Sequence, residues 1–262
     1  MNSLRMISYA VLVLLIIPVL VLLYEGFGPM STSVGYSYGV FRSIGLTLIA
    51  SIVAVFISIT LYTPLAYYFA RNTKTENSVM QTLADIPASI PHPIVGIALL
   101  LFASTATPLG KFLLSIDFDL FYTLLGYIAA LVIVSAPIYI KAMQPYFESM
   151  NRSHENFASG LGASKFRTFL SVVMPNSGRG VLSASLISMS RAMSEYGSIS
   201  IIAYEILKPP QFYGLHPISV LIVNFYEAGD LSAAITTSAV MIVISLAIMI
   251  PLRFVQHQSP RM

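Results

Sequence analysis

The sequence predicts an all-α integral membrane protein with six transmembrane helices, from its composition and its long apolar stretches. Of its 262 residues, 56% are hydrophobic and only 10% are charged. A soluble domain averages about 25% charged residues, so this chain lacks the charge to cover a water-facing surface. A span needs about 20 mostly apolar residues to cross about 30 Å of hydrocarbon. Six stretches of the chain are candidates.

Five of these stretches contain no Asp, Glu, Lys or Arg: Met6–Tyr24, Ser43–Ala70, Ile86–Gly110, Leu120–Ile140 and Leu231–Leu252. The sixth, Gly180–Tyr204, is interrupted by Arg191 and Glu195. The first stretch has 19 residues after Arg5. A secretory signal has an apolar region of about 7–15 residues, so we expect a retained first span.

Prolines complicate the start of the third stretch, because Pro87, Pro91 and Pro93 remove three amide donors from one short segment. One interpretation is a long cytoplasmic lead-in, with the span beginning near Ile94. The other is broken backbone that lines a cavity, since lipid does not tolerate exposed irregular backbone. A further uncharged segment, residues 209–226, has an apolar core of only ten residues, 217–226. That core predicts a re-entrant or outer-surface helix, not a span.

The distribution of cations predicts the orientation, because cytoplasmic loops of membrane proteins are enriched in Lys and Arg. With six spans, ten cations fall on one side and three on the other. The larger set places both termini and the 141–179 loop in the cytoplasm. Its members are Arg5, Arg71, Lys74, Lys141, Arg152, Lys165, Arg167, Arg179, Arg253 and Arg261, against Arg42, Lys111 and Lys208.

Composition also argues against several classes of site. The chain has no cysteine, so it has no disulfide and no thiolate metal site. Its four histidines show no His-x-x-x-His spacing, and its net charge of +3 is not concentrated in a basic run. We therefore expect no metal site and no nucleic-acid partner.

The sequence of the 141–179 loop predicts two short helices joined at glycines over residues 153–175, which we call the elbow. Ser153 is a candidate N-cap that places Glu155 in the first turn, where a carboxylate suits the helix dipole. Gly160 and Gly162 are expected to end this helix, and a second short helix is expected over 165–173, before Pro175. A solvated loop is the alternative. Five large apolar side chains argue against it: Phe157, Leu161, Phe166, Phe169 and Leu170.

Two motifs resemble known permeases. Glu155, Ala158, Gly162 and Met174-Pro175 resemble the coupling ("EAA") loop of ABC importer membrane subunits, with Phe157 where a small alanine is usual. Ser190-Arg-Ala-Met-Ser-Glu-Tyr-Gly197 resembles a signature of the molybdate, tungstate and sulfate subgroup. The segment 85–98 also resembles that subgroup, with the molybdate/tungstate members closest. The resemblance covers most of residues 43–254.

The resemblance implies one permease domain over residues 1–262, like a type I ABC importer, multi-pass in the cell membrane. It implies that residues 141–179 couple to a cytoplasmic ABC ATPase dimer. That partner, not this chain, would use ATP and Mg²⁺, so the chain would not be an enzyme and would bind no cofactor. An extracytoplasmic substrate-binding protein and a homodimer are also implied. The ATPase-coupling residues would be Glu155, Ala158, Ser159, Gly162 and Pro175.

The substrate implied is molybdate or tungstate, with sulfate as the alternative. A self-contained secondary transporter or a membrane-embedded enzyme is the other class of function. Secondary transporters are usually built from repeats, and none is visible here. An intramembrane enzyme needs convergent catalytic groups, for which only Asp85, Arg191 and Glu195 are candidates.

Arg191 and Glu195 are spaced i and i+4, so on one helix their side chains would meet. A charge inside a membrane costs about 2.5–3.5 kcal/mol or more, so such residues are paired or face a wet cavity. Arg191 could attract an oxyanion, but Glu195 would repel one. A structural ion pair is therefore the favoured interpretation. Ser190, Ser194 and Ser198 predict either a helix-packing surface, which we favour, or a pathway strip of hydroxyl donors.

Overall fold

The computed structural model describes residues 2–72 and 75–258, and the regular elements there are helical. Lys74 and Arg261, two cations of the predicted cytoplasmic set, lie outside the described residues. In chain order the first helices are α1 (Asn2–Phe27), α2 (Tyr38–Arg71), α3 (Thr75–Ser89), α4 (His92–Phe102), α5 (Pro108–Ser115), α6 (Leu124–Ser149) and α7 (Ser153–Gly160). They are followed by α8 (Lys165–Thr168), a π-helical turn (Phe169–Val173), α9 (Met174–Asn176), α10 (Gly178–Met193), α11 (Ile199–Ile202), α12 (Ile218–Glu227) and α13 (Leu231–Gln258).

Four helices of the described chain are long and apolar enough to cross a membrane: α1, α2, α6 and α13. Helices α3 and α4 make a fifth candidate if the bent pair counts as one span. Helix α10 has only 16 residues and carries Arg191 in its last turn. The all-helical class is thus confirmed, and the count of six spans and the cytoplasmic termini stay predictions.

The predicted third span is not one helix. Helix α3 ends at Ser89, α4 begins at His92, and their axes meet at 104°. Pro91 caps α4 and Pro93 lies in its first turn, where a missing amide donor costs nothing. The break falls at Pro91, whereas Pro87 lies inside α3, and the boundaries Ile86–Gly110 are corrected to a bent pair followed by the separate helix α5.

The predicted fifth span is also divided. Helix α10 ends at Met193, and only one further helical turn, α11, follows from Ile199. The segment between them, the 194–198 turn, is not helical. Glu195 consequently lies beyond the helix that carries Arg191, and the premise that both residues occupy one helix is wrong.

The centre of the molecule is formed by α2, α6 and α10 packed along one another. Small side chains such as Ala50, Ala54 and Ala130 are fully buried there, which lets helices in a membrane approach closely. The Thr63 and Tyr139 hydroxyls form a 2.7 Å hydrogen bond between α2 and α6. Helix α1 lies outside this core, packs against α13 and exposes most of its apolar surface, as a lipid-facing helix does.

Helix α12 has ten residues, too few to cross a membrane. Its first residue, Ile218, donates its backbone N–H to Thr47 Oγ1 of α2 at 3.0 Å. The prediction of a short helix in this segment is confirmed, and the contact fixes its start against α2.

Candidate functional site

The elbow has the expected form of two short helices separated by glycine. Helix α7 ends at Gly160, Gly162 has φ +83°, and α8 begins at Lys165. A positive φ is readily adopted only by glycine, so Gly162 fixes the sharp turn. A Cβ at Gly162 would meet nothing within 4 Å, so the turn faces open space.

Two local details differ from the sequence expectation. The N-cap of α7 is Arg152, while Ser153 is already helical and its Oγ bonds the Asn151 side chain. Pro175 does not end the second helix, because helical backbone continues from Lys165 through the π-helical turn into α9. Pro175 lies in the first turn of α9, directly after the π-helical turn. A proline has no backbone N–H, and the first turn of a helix tolerates this loss.

The elbow presents an apolar surface to its surroundings. Phe157, Leu161 and Phe166 are 72%, 76% and 70% exposed, and Leu170 is half exposed. Phe169 is buried inside the protein. Of the other predicted coupling residues, Ser159, Gly162 and Pro175 are exposed and Ala158 is partly exposed.

Glu155 points the other way, into the protein. Its carboxylate accepts from Arg71, with Nη2–Oε1 at 2.5 Å and Nε–Oε2 at 3.2 Å, and from the Tyr67 hydroxyl at 2.7 Å. The Arg71 and Glu155 side chains are only 10% and 14% exposed. Arg71 also donates to the Phe147 carbonyl at 2.7 Å. Glu155 is therefore held by its own chain and does not share the exposed face of the elbow.

The second predicted pair, Arg191 and Glu195, is in contact and has a third member. Arg191 Nη2 lies 2.8 Å from Glu195 Oε2, and the same oxygen lies 2.9 Å from His92 Nδ1. Arg191 Nη2 also contacts the His92 ring directly. Glu195 Oε1 accepts from the Ser198 N–H at 2.8 Å and the Ser198 hydroxyl at 2.9 Å. Glu195 is 1% exposed, with both oxygens occupied.

The hydroxyl stripe is broken by the end of α10. Ser190 and Ser194 are exposed. Ser198 lies beyond the helix, is fully buried and donates a hydrogen bond to the Glu195 carboxylate. Arg191 and two of these serines line an open cavity of about 730 Å³. The cavity is bounded by Ile138, Ser183, Leu186, Ile187, Ser190, Arg191, Ser194, Ser245, Leu246, Met249 and Ile250. Glu195 is not among its walls, so the polar part of the lining consists of Arg191 and four serines, and six apolar side chains form the rest.

Sequence reasoning missed His92, Arg71 and Tyr67. His92 and Glu195 are brought together because α4 packs on α11, with Gly96 so close to Ser198 that a Cβ would lie 2.5 Å from its carbonyl oxygen. Arg71 and Glu155 are 84 residues apart. The one available signal was the position of Arg71 at the cytoplasmic end of a predicted span, where a cation caps helix carbonyls favourably.

The fold and these sites define a multi-pass helical membrane protein with an exposed apolar elbow and a buried ionic cluster. A family model described as "Binding-protein-dependent transport system inner membrane component" matches residues 62–262. The chain belongs to this family and is a multi-pass inner-membrane protein. The resemblance carried by the elbow and by residues 190–197 is thereby confirmed.

Relatives of this chain are permease proteins of molybdate/tungstate and sulfate transport systems. The molybdate/tungstate transport system permease protein WtpB of Pyrococcus furiosus is 32% identical over 215 residues, which cover 82% of this chain and 78% of the relative. The sulfate transport system permease protein CysT of Synechocystis is 26% identical over 258 residues, covering 95% of this chain and 87% of the relative.

Solved structures share the fold. The bacterial ABC transporter involved in the import of the acidic polysaccharide alginate matches with a TM-score of 0.68 at 19% identity, covering 99% of this chain and 98% of that chain. The MetNI methionine ABC transporter matches with a TM-score of 0.62 at 13% identity, covering 84% and 94%. The chain thus has the fold of ABC importer permeases, and its relatives are permeases of transport systems, not enzymes. This favours the importer over the alternative of a secondary transporter or membrane-embedded enzyme.

Proposed function

We propose that this chain is the membrane-spanning subunit of an ATP-driven importer for molybdate or tungstate, with sulfate as the alternative substrate. Two copies would enclose one pathway, as a closed two-fold dimer is the simplest assembly. A cytoplasmic ATPase dimer would bind and hydrolyse ATP with Mg²⁺, and an extracytoplasmic binding protein would deliver the oxyanion. Relatives of both molybdate/tungstate and sulfate systems support this class of substrate.

The observation that carries the proposal is the exposed apolar surface of the elbow. Phe157, Leu161 and Phe166 are each at least 70% exposed, within ten residues of one another along the chain. Isolated apolar residues on a surface are ordinary, but three large exposed ones on one short elbow favour an interaction site. We propose that the partner ATPase buries them, with Ala158, Ser159, Gly162 and Pro175 shaping the fit.

Replacing these three side chains by serine tests the docking. Burial of a Leu or Phe side chain contributes about 1.5–3 kcal/mol, so each replacement should weaken ATPase binding about tenfold or more. A matched control replaces Leu83, which is 58% exposed on α3, by serine. Co-purification and Kd for the ATPase are measured for both. Binding equal to wild type in the triple variant would refute docking at the elbow.

We propose different roles for the two members of the ionic cluster. Glu195 braces the 194–198 turn, because its oxygens are occupied by Arg191, His92 and Ser198. Arg191 lines the cavity with Ser190 and Ser194, so it offers a hydrated oxyanion a cation without an exposed carboxylate. The neighbouring Glu195 weakens this attraction, and a transport pathway requires weak binding.

Substrate and energy source are tested together in proteoliposomes. The chain is reconstituted with the ATPase that co-purifies with it and with its substrate-binding protein, and uptake of tungstate, molybdate and sulfate is compared with ATP or ADP inside. We expect uptake with ATP only, and tungstate or molybdate to be preferred over sulfate. Uptake that is equal with ADP would refute the ATP-driven mechanism, and preferred uptake of sulfate would replace the substrate assignment.

A further inference from the structure

The contacts of Arg71 connect three parts of the molecule that are distant in sequence. Arg71 is the last residue of α2, and its guanidinium binds the Glu155 carboxylate of the elbow through two nitrogens. The same guanidinium donates to the carbonyl of Phe147 in the last turn of α6, and more weakly to that of Met150. One side chain thus satisfies the C-terminal carbonyls of α6 and fixes the first turn of α7.

Tyr67, one helical turn before Arg71, completes the arrangement. Its hydroxyl donates to Glu155 Oε2 at 2.7 Å, and the Arg71 guanidinium lies 5.6 Å from the centre of its ring. The ring also packs on Phe147 of α6 and Phe169 of the π-helical turn, at centroid distances of 5.5 Å and 5.1 Å. We call Tyr67, Arg71 and Glu155 the clamp.

Beside the clamp the contact between the elbow and α2 is interrupted, although Phe169 of the π-helical turn packs on the Tyr67 ring. A cavity of about 490 Å³ lies between them, with Pro64 and Tyr68 of α2 on one side and Ser159 and Phe166 of the elbow on the other. The covalent connections of the elbow lead to α6 and α10, not to α2. The clamp and the Tyr67 ring therefore provide a direct link between the elbow and α2 that the chain itself does not provide.

Helix α2 extends this link across the molecule. It runs unbroken from Tyr38 to Arg71 and is packed against α6 and α10. Thr47, near its other end, accepts the backbone N–H of Ile218 in α12. At a rise of 1.5 Å per residue, Thr47 and Arg71 are about 36 Å apart along the helix. A displacement of the elbow that is transmitted to Arg71 thus reaches the region of α12 through one element.

We propose that Arg71 and Tyr67 are positioning residues that transmit movement of the elbow to α2, and that Glu155 acts through them without touching the ATPase. This rests on the proposed function, since it assumes that an ATPase moves the elbow. It changes the expected role of Glu155. Loss of the clamp should leave the ATPase bound and hydrolysing ATP, while each hydrolysis event moves less substrate.

The test compares Arg71→Gln, Glu155→Gln and their double variant in the complete transporter with ATPase and binding protein. ATPase co-purification, ATP hydrolysis and tungstate uptake are measured on the same proteoliposomes. We expect normal co-purification and a fall in uptake per ATP of about 5- to 150-fold, the usual range of coupling between sites. The double variant should fall no further than either single variant, because residues that act as one unit are not additive.

Two conservative tyrosine variants keep the test informative if the charge variants misfold. Tyr67→Phe removes only the hydroxyl and should reduce uptake per ATP by a smaller factor than Arg71→Gln. Tyr38→Phe is the matched control, since Tyr38 lies at the opposite end of α2, is 79% exposed and takes no part in the clamp, so this variant should behave as wild type. If the charge variants do not assemble, the difference between these two tyrosine variants decides the question.

Three results would overturn the proposal. Loss of ATPase binding in Glu155→Gln would make Glu155 a docking residue. Unchanged uptake per ATP in Tyr67→Phe and the charge variants would remove any role in transmission, and strictly additive losses would show that Arg71 and Glu155 act independently. Failure of the proposed function is distinguishable, because wild-type proteoliposomes would then show no ATP-dependent uptake at all.

Discussion

Glu195→Gln is expected to destabilise the protein strongly, because Glu195 neutralises Arg191 while almost fully buried. The carboxylate lies 2.8 Å from the guanidinium and is 1% exposed, whereas the Arg191 side chain is 21% exposed. Breaking a buried ion pair by removing one partner costs about 3–5 kcal/mol. The partial exposure of Arg191 places this site near the lower limit, about 3 kcal/mol, because water can reach the stranded cation.

The hydrogen bonds of Glu195 support the same magnitude. A glutamine oxygen can still accept from Ser198, but its amide group then faces the Arg191 guanidinium, and both groups are donors. A loss of about 3 kcal/mol lowers Tm by about 6–12 °C for a chain of this size. Arg191→Met combined with Glu195→Gln removes the stranded cation and should recover most of this loss.

Thermal unfolding of the detergent-purified variants at one scan rate measures these shifts. Asp85→Asn is the matched control, since its ion pair with Lys141 at 3.0 Å is exposed and should contribute less than about 1 kcal/mol. A Tm for Glu195→Gln within about 2 °C of wild type corresponds to less than 1 kcal/mol and would refute the bracing role.

Uptake by the double variant separates the two proposed roles. If Arg191 faces the oxyanion pathway, the double variant should be stable and transport poorly. Recovery of both stability and uptake would show instead that Arg191 and Glu195 form a structural pair only.

Three further predictions concern the elbow, the orientation and the packing of the broken helices. Gly162→Trp should insert normally but bind the ATPase weakly, because a bulky residue is forced to φ +83° on the docking surface; wild-type retention in a pull-down would contradict this. A cysteine at Ser159 should react only with reagents that reach the cytoplasm and one at Ser115 only from outside, and the reverse pattern would overturn the topology. Gly96→Val should lower Tm through overpacking of about 1–3 kcal/mol against Ser198, and an unchanged Tm would refute that close contact.

The fold class and the elbow could be predicted because their signals are local. Long apolar stretches gave α1, α2, α6 and α13, and glycine and apolar spacing gave the two short helices around Gly162. The end of α10 at Met193 was not visible, because residues 181–196 contain neither proline nor glycine and apolar residues continue to Tyr204.

The partners of the site residues could not be predicted for a different reason. Contacts of Glu155 with Arg71 and of Glu195 with His92 join residues 84 and 103 positions apart, and they depend on how the helices pack. A single sequence with no alignment contains no signal for such pairs. The i and i+4 spacing did find Arg191 with Glu195, although a turn and not a helix produces the contact.

The break between α3 and α4 and the 194–198 turn after α10 are in contact with each other. The gap before α4 brings His92 to the 194–198 turn, where Glu195 and Arg191 close the junction. A continuous helix would have to break backbone hydrogen bonds to bend at such a place, whereas the 194–198 turn and the segment between α3 and α4 already lie outside regular helix. The position of α4 against α11 therefore depends on the ionic contacts of His92, Arg191 and Glu195 and on the close approach of Gly96 to Ser198. Single substitutions at this junction should therefore change how firmly α4 and α11 are held together, while the long helices α2 and α6 keep their packing.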